Sequence, residues 1–159
     1  MTSQVLSEQS VAVESFVSLV RATAHATRHL SAQLTADHGL TISDYEVLLR
    51  LSRAPDRRMR RVDIAQEVLL TASGITRLLE GLERSGYVCK ETCASDARVS
   101  YAKLTDQGLA KLRVAGVTHL RGIDELFLGR YSGSELATLA ELLSRLPVTG
   151  KLASESCSA

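Results

Sequence analysis

The sequence of 159 residues has no tryptophan, two prolines and an aromatic content of only 4%. No stretch approaches the roughly 18 uninterrupted apolar residues of a membrane-spanning helix. Residues 1–10 also lack the basic and apolar segments of a secretory signal peptide. We therefore expect neither a membrane protein nor a secreted protein, and we expect a cytoplasmic location.

Cysteine is also scarce, because the chain has only Cys89, Cys93 and Cys157. An odd number without a framework spacing fits a reducing compartment better than a disulfide scaffold. On an extended strand the Cα atoms of Cys89 and Cys93 would lie roughly 13 Å apart. That separation is too large for a disulfide bond unless the strand has turned. We expect free thiols.

Catalytic and metal-binding patterns are missing as well. The sequence has no glycine-rich phosphate loop and no nucleophile motif, and its four histidines are His25, His29, His38 and His119. His25 and His29 are four residues apart on one helix and could reach a common metal ion. No acidic or thiol partner lies near them in sequence. The sequence therefore predicts no enzyme, no cofactor and no metal site.

What the chain does have is 45% hydrophobic residues, which excludes low complexity and disorder for most of its length. A chain of this size can hide about 70% of its unfolded surface, so we expect one domain over residues 1–159. The net charge is +1, but it is uneven. Residues 50–103 contain 11 basic and 7 acidic residues, a local charge of +4, and the rest carries −3. This asymmetry indicates a polyanionic partner.

Apolar residues first recur at three- and four-residue steps, which predicts an amphipathic helix from Val13 to His38 that ends at a left-handed Gly39. Ser43 and Glu46 then form the pattern of a capping box that opens a second helix. The predicted buried side of this second helix consists of Tyr45, Val47, Leu48 and Leu51.

The middle of the chain predicts two further helices. Arg57–Arg61 is too short and polar for any element except an edge strand. A short helix follows, with apolar residues Val62, Ile64, Ala65 and Val68, and the chain turns at Leu69–Thr71. Thr71 or Ser73 caps the fourth helix, which Gly86 terminates. The predicted apolar face of the fourth helix consists of Ile75, Leu78, Leu79 and Leu82.

After Gly86 the pattern becomes that of strands. The β-branched and aromatic runs Tyr87–Thr92 and Val99–Leu104 flank a polar tip at Ser95–Arg98, which predicts a hairpin. Thr105 caps a fifth helix and Ser132–Glu135 begins a sixth. The predicted stripe of the fifth helix is Leu109, Leu112, Val117, Leu120, Ile123 and Phe127; that of the sixth is Leu136, Leu139, Leu142, Leu143 and Leu146.

These elements predict a mainly α fold with a small β-hairpin wing. Arg61–Leu82 fits a helix-turn-helix, and a hairpin directly after it makes a winged helix. We expect this lobe over residues 40–104, flanked by long dimerisation helices at 10–38 and 105–147, with a frayed tail at 148–159. The terminal helices carry more apolar stripe than one small core can bury, and such stripes usually mark association.

Several segments together resemble the MarR family of bacterial transcription regulators over Val13–Leu146. The segments that carry the resemblance are Leu40–Leu48, Ile64–Ala65, Ser73–Val88, Asp96–Arg98 and Leu104–Gly108. The Asp-x-Arg wing followed by Leu-Thr-x-x-Gly is the most specific local mark. The resemblance implies a homodimeric winged-helix regulator that binds a palindromic operator on double-stranded DNA. It also implies release by a small ligand or by oxidation.

The outward side of the fourth helix is the candidate DNA-reading surface. With the apolar face turned inward, Ala72, Ser73, Thr76, Arg77 and Glu80 point outward. Short hydroxyls near the helix N-terminus suit phosphates or base edges, and Arg77 can make forked contacts with phosphate or guanine.

The hairpin tip is the second candidate contact with DNA. Arg98 at the tip can enter a minor groove, where narrow A·T-rich DNA has the more negative potential. Asp96 is interpreted as the residue that holds Arg98 and the turn in shape.

Three functional questions stay open at this stage. The resemblance places a small aromatic or anionic effector between the dimer helices and the lobe, with His25, Arg28, His29 and Tyr45 as candidates. Cysteine-based redox sensing is an alternative. A winged helix used only for protein interaction is another, which the outward Arg77, Arg98 and the basic middle segment argue against.

Overall fold

A computed structural model describes residues 2–68, 72–92 and 99–146. Within these residues the chain is mainly helical with one small sheet, as predicted. The elements are α1 (Thr2–His38), α2 (Ile42–Arg53), β1 (Arg58–Arg60), α3 (Arg61–Glu67), α4 (Ala72–Arg84), β2 (Val88–Thr92), β3 (Ser100–Leu104), α5 (Asp106–Phe127) and α6 (Gly133–Ser144). Among the described helices, none combines the length and the apolar character that a membrane span requires.

The first helix is longer than its apolar pattern. It begins at Thr2 instead of Val13, because residues 2–12 contain neither proline nor glycine and nothing interrupts the backbone hydrogen bonds. It ends as predicted: Gly39 adopts a φ of +68°, a left-handed conformation that glycine takes without steric cost.

The cap predicted for α2 is wrong, although its buried face is confirmed. Thr41, not Ser43, is the N-cap: its side chain accepts from the backbone N–H of Asp44, and Asp44 accepts from the backbone N–H of Thr41 at 2.8 Å. The same spacing of a hydroxyl residue and an acid occurs twice here, two residues apart. The earlier residue, Thr41, caps the helix because Ile42 is already helical. Tyr45, Val47, Leu48 and Leu51 are buried.

The core of the lobe forms where α2, α3 and α4 pack on one face of a three-stranded antiparallel sheet. The strand order is β1-β3-β2, so β1 is the predicted edge strand. The most deeply buried side chains of this core include Val47, Leu48, Leu51, Ile64 and Leu79. Val62 is 63% exposed and does not join Ile64 in the core. Residues that are two positions apart on a helix point in nearly opposite directions.

Helix α4 has the predicted apolar face, with Ile75, Leu79 and Leu82 buried. Since α4 begins at Ala72, Ser73 lies inside the helix and is not its N-cap. The other candidate cap, Thr71, and the turn at Leu69–Thr71 lie outside the described residues. Gly86 follows the helix with a φ of +73°, as predicted.

The hairpin is confirmed along its strands. Strands β2 and β3 pair antiparallel from Val88 opposite Leu104 to Thr92 opposite Ser100. The predicted tip, which includes Asp96 and Arg98, lies outside the described residues.

The single apolar stripe predicted for α5 is wrong. Leu112 is buried inside the chain, whereas Val117 is 70% exposed and Leu120 62% exposed. A step of five residues turns a helix far from its starting face, so Leu112 and Val117 cannot share one side. The predicted cap Thr105 is confirmed, and α6 begins where predicted, with Ser132 as its N-cap. Helix α6 has no buried residue.

A polar seam joins α1 to α5. Gln33 donates to Glu125 at 2.7 Å, His29 lies 3.3 Å from the same carboxylate, and Arg121 donates to Asp37 at 3.2 Å. The hydrogen bond from Gln33, followed by the hydrogen bond and charge of His29 and the charge of Arg121, lowers the pKa of Glu125. His29 therefore has an acidic partner that is distant in sequence but adjacent in the fold.

Candidate nucleic-acid interface

Helix α4 presents one polar face to solvent. Ser73, Thr76 and Arg77 are exposed, while Ile75 and Leu79 on the other side are buried. Ala72 is the first residue of the helix. The predicted reading residues on α4 are therefore on one element, and its orientation is fixed by the core beneath it.

The electrostatics of α4 favour an anion at its N-terminal end. Its first turn contains no acidic residue, whereas the first turns of α2, α3, α5 and α6 each contain one. The partial positive charge of the helix dipole is therefore not offset there by an acidic side chain of the same turn. Arg77 is exposed and has no ion pair among the residues that the structure describes.

Two ion pairs stabilise α3, one at its start and one at its end. Arg60 makes a forked contact with Asp63, at 2.8 and 3.1 Å. Arg50 of α2 donates to Glu67 at the end of α3 at 2.6 Å, and only 14% of the Glu67 side chain is exposed. Sequence reasoning missed the pair because its partners are 17 residues apart on different helices. The contact fixes α3 relative to α2.

The base of the wing is cross-linked by charge. Glu91 on β2 accepts from Arg58 at 2.9 Å and lies 3.3 Å from Lys103. The hydrogen bond from Lys103 lowers the pKa of Glu91, with Arg58 contributing. Arg58 also lies 5.1 Å from the ring centre of Tyr101. These contacts link all three strands and hold the described part of the wing together.

Cys89 lies in the same sheet and is an exposed free thiol. It is directly opposite Lys103 in the strand register and lines an open concavity of about 850 Å³ beside the sheet. Cys93 and Cys157 lie outside the described residues.

The candidate effector residues fall into two places. His25 and His29 stack with their ring centres 6.4 Å apart, and Arg28 is exposed on the same helix. Tyr45 is buried and packs instead on His119, with ring centres 4.4 Å apart. Burial raises the pKa of Tyr45 and lowers that of His119. The structure thus groups His25 with His29 and pairs Tyr45 with a histidine that sequence reasoning did not select.

Metal-binding geometry is not found in this part of the molecule. Within residues 2–68, 72–92 and 99–146, no group of three or more histidine, cysteine, aspartate or glutamate side chains is placed to hold a metal ion.

Residues 38–99 match the sequence model of the MarR family. The transcriptional repressor YetL of Bacillus subtilis is 30% identical over 124 residues, which cover 76% of this chain and 74% of that protein. The transcriptional regulator MhqR of the same organism is 26% identical over 136 residues, 86% of this chain and 91% of that protein.

Among solved structures, a close neighbour is Sco3205 of Streptomyces coelicolor, a MarR family transcriptional regulator in complex with DNA. It has a TM-score of 0.75 and 28% identity, and the match covers 87% of this chain and 84% of that chain. The winged-helix arrangement of α2–α4 and the sheet is therefore shared with proteins of known fold.

Proposed function

This chain belongs to the MarR family of transcriptional regulators, and from that premise we propose that it binds a pseudo-palindromic operator as a homodimer. The observation that carries the proposal is the polar face of α4, set on a fixed core beside a wing. A regulator of chromosomal DNA acts in the cytoplasm, where we expect this chain to work. The limits proposed for its parts are a lobe at 40–104 between dimerisation helices at 10–38 and 105–147.

In the proposed complex α4 enters the major groove. Ser73 and Thr76 meet phosphates or base edges from the first turns of the helix, close to Ala72, and Arg77 reads guanine or holds phosphate. The absence of an acid from the first turn of α4 supports this assignment, because a carboxylate there would repel the DNA backbone.

Arg98 at the wing tip is proposed to enter the minor groove, with Asp96 supporting it. The strands that lead to the tip are cross-linked at Glu91, which supports a wing that keeps its direction when it contacts DNA.

The dimer is supported by the apolar side chains that the terminal helices leave exposed. Those at helical spacing include Phe16, Val20, Leu120, Leu139 and Leu143. A second copy of the chain would cover them, and two lobes related by a two-fold axis would then face two half-sites. We expect half-sites about 10 bp apart, one helical turn of DNA.

The test is selection of duplex DNA from a random library by the purified full chain, followed by sequencing of what is retained. We expect an inverted repeat, bound with an affinity that falls steeply as salt rises because phosphate contacts release counterions. Affinity that stays near the millimolar range at low salt would refute DNA binding and favour a protein-interaction module.

Arginine variants then separate the two proposed contacts. Arg77→Ala should reduce discrimination between selected and scrambled sites by about 1–3 kcal/mol if Arg77 reads a base. Arg98→Ala should weaken binding to all sequences and reduce the preference for A·T-rich flanks. Arg113→Ala is the matched control, since Arg113 is exposed on α5, outside the lobe. Equal effects of Arg77→Ala and Arg113→Ala would contradict the reading role.

Release of the operator by an effector is the remaining part of the proposal. The candidates for a small aromatic or anionic effector are His25, Arg28, His29 and Tyr45. An exposed Cys89 favours redox sensing as a second candidate. Operator release by peroxide that is abolished in Cys89→Ser would support the cysteine; release by an aromatic acid that survives in Cys89→Ser would support the effector site.

A further inference from the structure

The Leu-Thr-x-x-Gly segment at Leu104–Gly108 carries the resemblance to the family, and in the structure it connects two helices. It lies where α5 begins, and it touches the end of α4. Thr105 donates its hydroxyl hydrogen to the carbonyl of Gly86 at 2.7 Å, and its backbone N–H donates to the carbonyl of Tyr87 at 3.1 Å. The first turn of α5 is thereby fastened to the residues that terminate α4.

This cap differs from the other two hydroxyl caps in the described chain. At Thr41 and Ser132 an acid three residues later accepts from the backbone N–H of the cap residue, so each cap closes on itself. At Thr105 the corresponding position is Gly108, whose N–H donates to the Thr105 hydroxyl at 2.9 Å. With no side chain to accept from it, the backbone N–H of Thr105 is available for the carbonyl of Tyr87.

The contact between the start of α5 and Gly86–Tyr87 forms a joint between α5 and α4. Gly108 is required at this joint because it has no side chain. A Cβ atom added there would overlap the backbone carbonyl oxygen of Tyr87 and would lie 2.8 Å from a methyl carbon of Leu104. The obstacle at Tyr87 is backbone, so it cannot move aside as a flexible side chain can. Gly86 and Tyr87 themselves are fixed, because Tyr87 donates to the carbonyl of Leu82 and Gly86 to that of Glu83, the pattern of a Schellman motif.

The other end of α5 also packs against α1, although there the neighbouring atoms belong to side chains. A Cβ atom on Gly122 would overlap the side chain of Gln33 on α1, and the polar seam joins the two helices on either side of that point. Helix α5 therefore runs without a break from the end of α4, the proposed recognition helix, to its contacts with α1.

We propose that Thr105 and Gly108 are positioning residues that set the distance between the two recognition helices of the dimer, and hence the half-site spacing that the protein accepts. The inference rests on the proposed function. Helix α5 has 22 residues and is about 33 Å long, so a tilt of about 5° at the joint moves its far end by about 3 Å, close to the rise of one base pair. A displaced joint changes spacing before it changes base contacts.

The experiment compares Gly108→Ala with Gly116→Ala on duplexes in which selected half-sites are separated by the preferred spacer or by one base pair more or less. Gly116 is the matched control because it lies on the same helix and a Cβ there meets only ordinary contact with Tyr45, at 3.7 Å. For the wild type and Gly116→Ala we expect each spacer change to weaken binding about tenfold. For Gly108→Ala we expect a shifted optimum or a preference reduced to about threefold or less.

A purely destabilising change would lower affinity for all spacers by one factor, so an unchanged spacer preference in Gly108→Ala overturns the proposal. Thr105→Val and Thr105→Ser provide a second test if Gly108→Ala does not fold. Serine keeps the hydroxyl and should keep the spacer preference, whereas valine should lose it. Equal preferences in both variants contradict the proposed role of Thr105.

A measurement without DNA keeps this inference separate from the proposed function. Spin labels on Glu80→Cys, in a chain with the three native cysteines replaced by serine, report the distance between the two α4 helices of a dimer. Gly108→Ala should shift or broaden that distance and Gly116→Ala should not. An unaltered distance in Gly108→Ala refutes the joint even if the protein binds DNA, and failure of the wild type to select DNA refutes the proposed function while this distance still tests the joint.

Discussion

The winged lobe buries most of its large apolar side chains, whereas the terminal helices leave many of theirs exposed. In the lobe Val47, Leu48 and Ile64 have no exposed surface, although the lobe is the smaller and more polar part of the chain. Phe16 on α1 is 67% exposed, and α6 buries nothing. The core of the lobe is completed within one chain, with Leu34 of α1 and Leu112 of α5 contributing to it. The apolar side chains that the terminal helices leave exposed are those that the proposed dimer would cover.

The largest expected effect comes from making the terminal helices unable to take a partner. Leu139→Glu with Leu143→Glu places four carboxylates across the proposed two-fold interface. Each lost leucine removes about 1.5–3 kcal/mol of burial, and the interface loses four. We expect a monomer by sedimentation, with operator affinity reduced at least about 100-fold because the two half-sites are no longer bound together.

The control for that prediction is Ala137→Glu, at an exposed residue on the side of α6 opposite Leu139, which adds a charge away from the leucine stripe. It should remain a dimer. The difference between the two regions would be refuted by a wild-type chain that sediments as a monomer at submicromolar concentration and still binds a palindrome tightly.

The next effect tests whether the lobe core is as self-sufficient as its burial indicates. Leu48→Ala should lower the free energy of unfolding by about 2–5 kcal/mol, since the side chain is fully buried and leaves a cavity. Val62→Ala, in the same lobe but exposed, should change it by about 0.5 kcal/mol or less. Urea unfolding followed by circular dichroism measures both. Similar losses for the two variants would mean that the lobe core is not formed as described.

A smaller effect distinguishes the ion pairs of the two regions. Glu67→Gln leaves the half-buried Arg50 without its charged partner and should cost about 1–2 kcal/mol, a value reduced for the partial exposure of the arginine. Glu141→Gln breaks the pair with Arg145, whose side chains are both about two-thirds exposed, and should cost about 0.5 kcal/mol or less. If both changes are neutral, the contact between α2 and α3 does not hold α3 in place.

How much the sequence could predict also differs between the two regions. In the lobe, periodicity found the buried faces of α2 and α4, and Gly39 and Gly86 marked helix ends, because local patterns and tertiary packing agree there. On α5 the apolar pattern placed Leu112 and Val117 on one stripe, which is wrong. Packing against α1 and α2 decides which side of α5 is buried, and the pattern alone does not show it. Side-chain pairs distant in sequence, such as Arg50 with Glu67 or Tyr45 with His119, have no local signal.

The smallest effect concerns His119, which lies between the two regions by packing on Tyr45. Burial lowers the pKa of His119 from its usual 6.5, because desolvation disfavours the charged ring. Below about pH 6.5 the unfolded chain therefore binds a proton that the folded chain resists, and folding stability falls as the pH decreases. Above about pH 6.5 the ring is neutral in both states, and His119 no longer lowers the folding stability.

His119→Phe keeps a ring against Tyr45 but cannot titrate, so it should remove this part of the pH dependence. We expect the stability difference between pH 7.5 and pH 5.5 to be smaller in His119→Phe than in the wild type, as measured by urea unfolding. Glu125, whose pKa is lowered from 4.5 chiefly by the hydrogen bond from Gln33, loses its stabilising effect in the same direction but at more acidic pH, so this interval separates the two groups. Identical pH profiles for the two proteins would show that the contact between Tyr45 and His119 does not resist protonation, and that the boundary between lobe and helices is open to water.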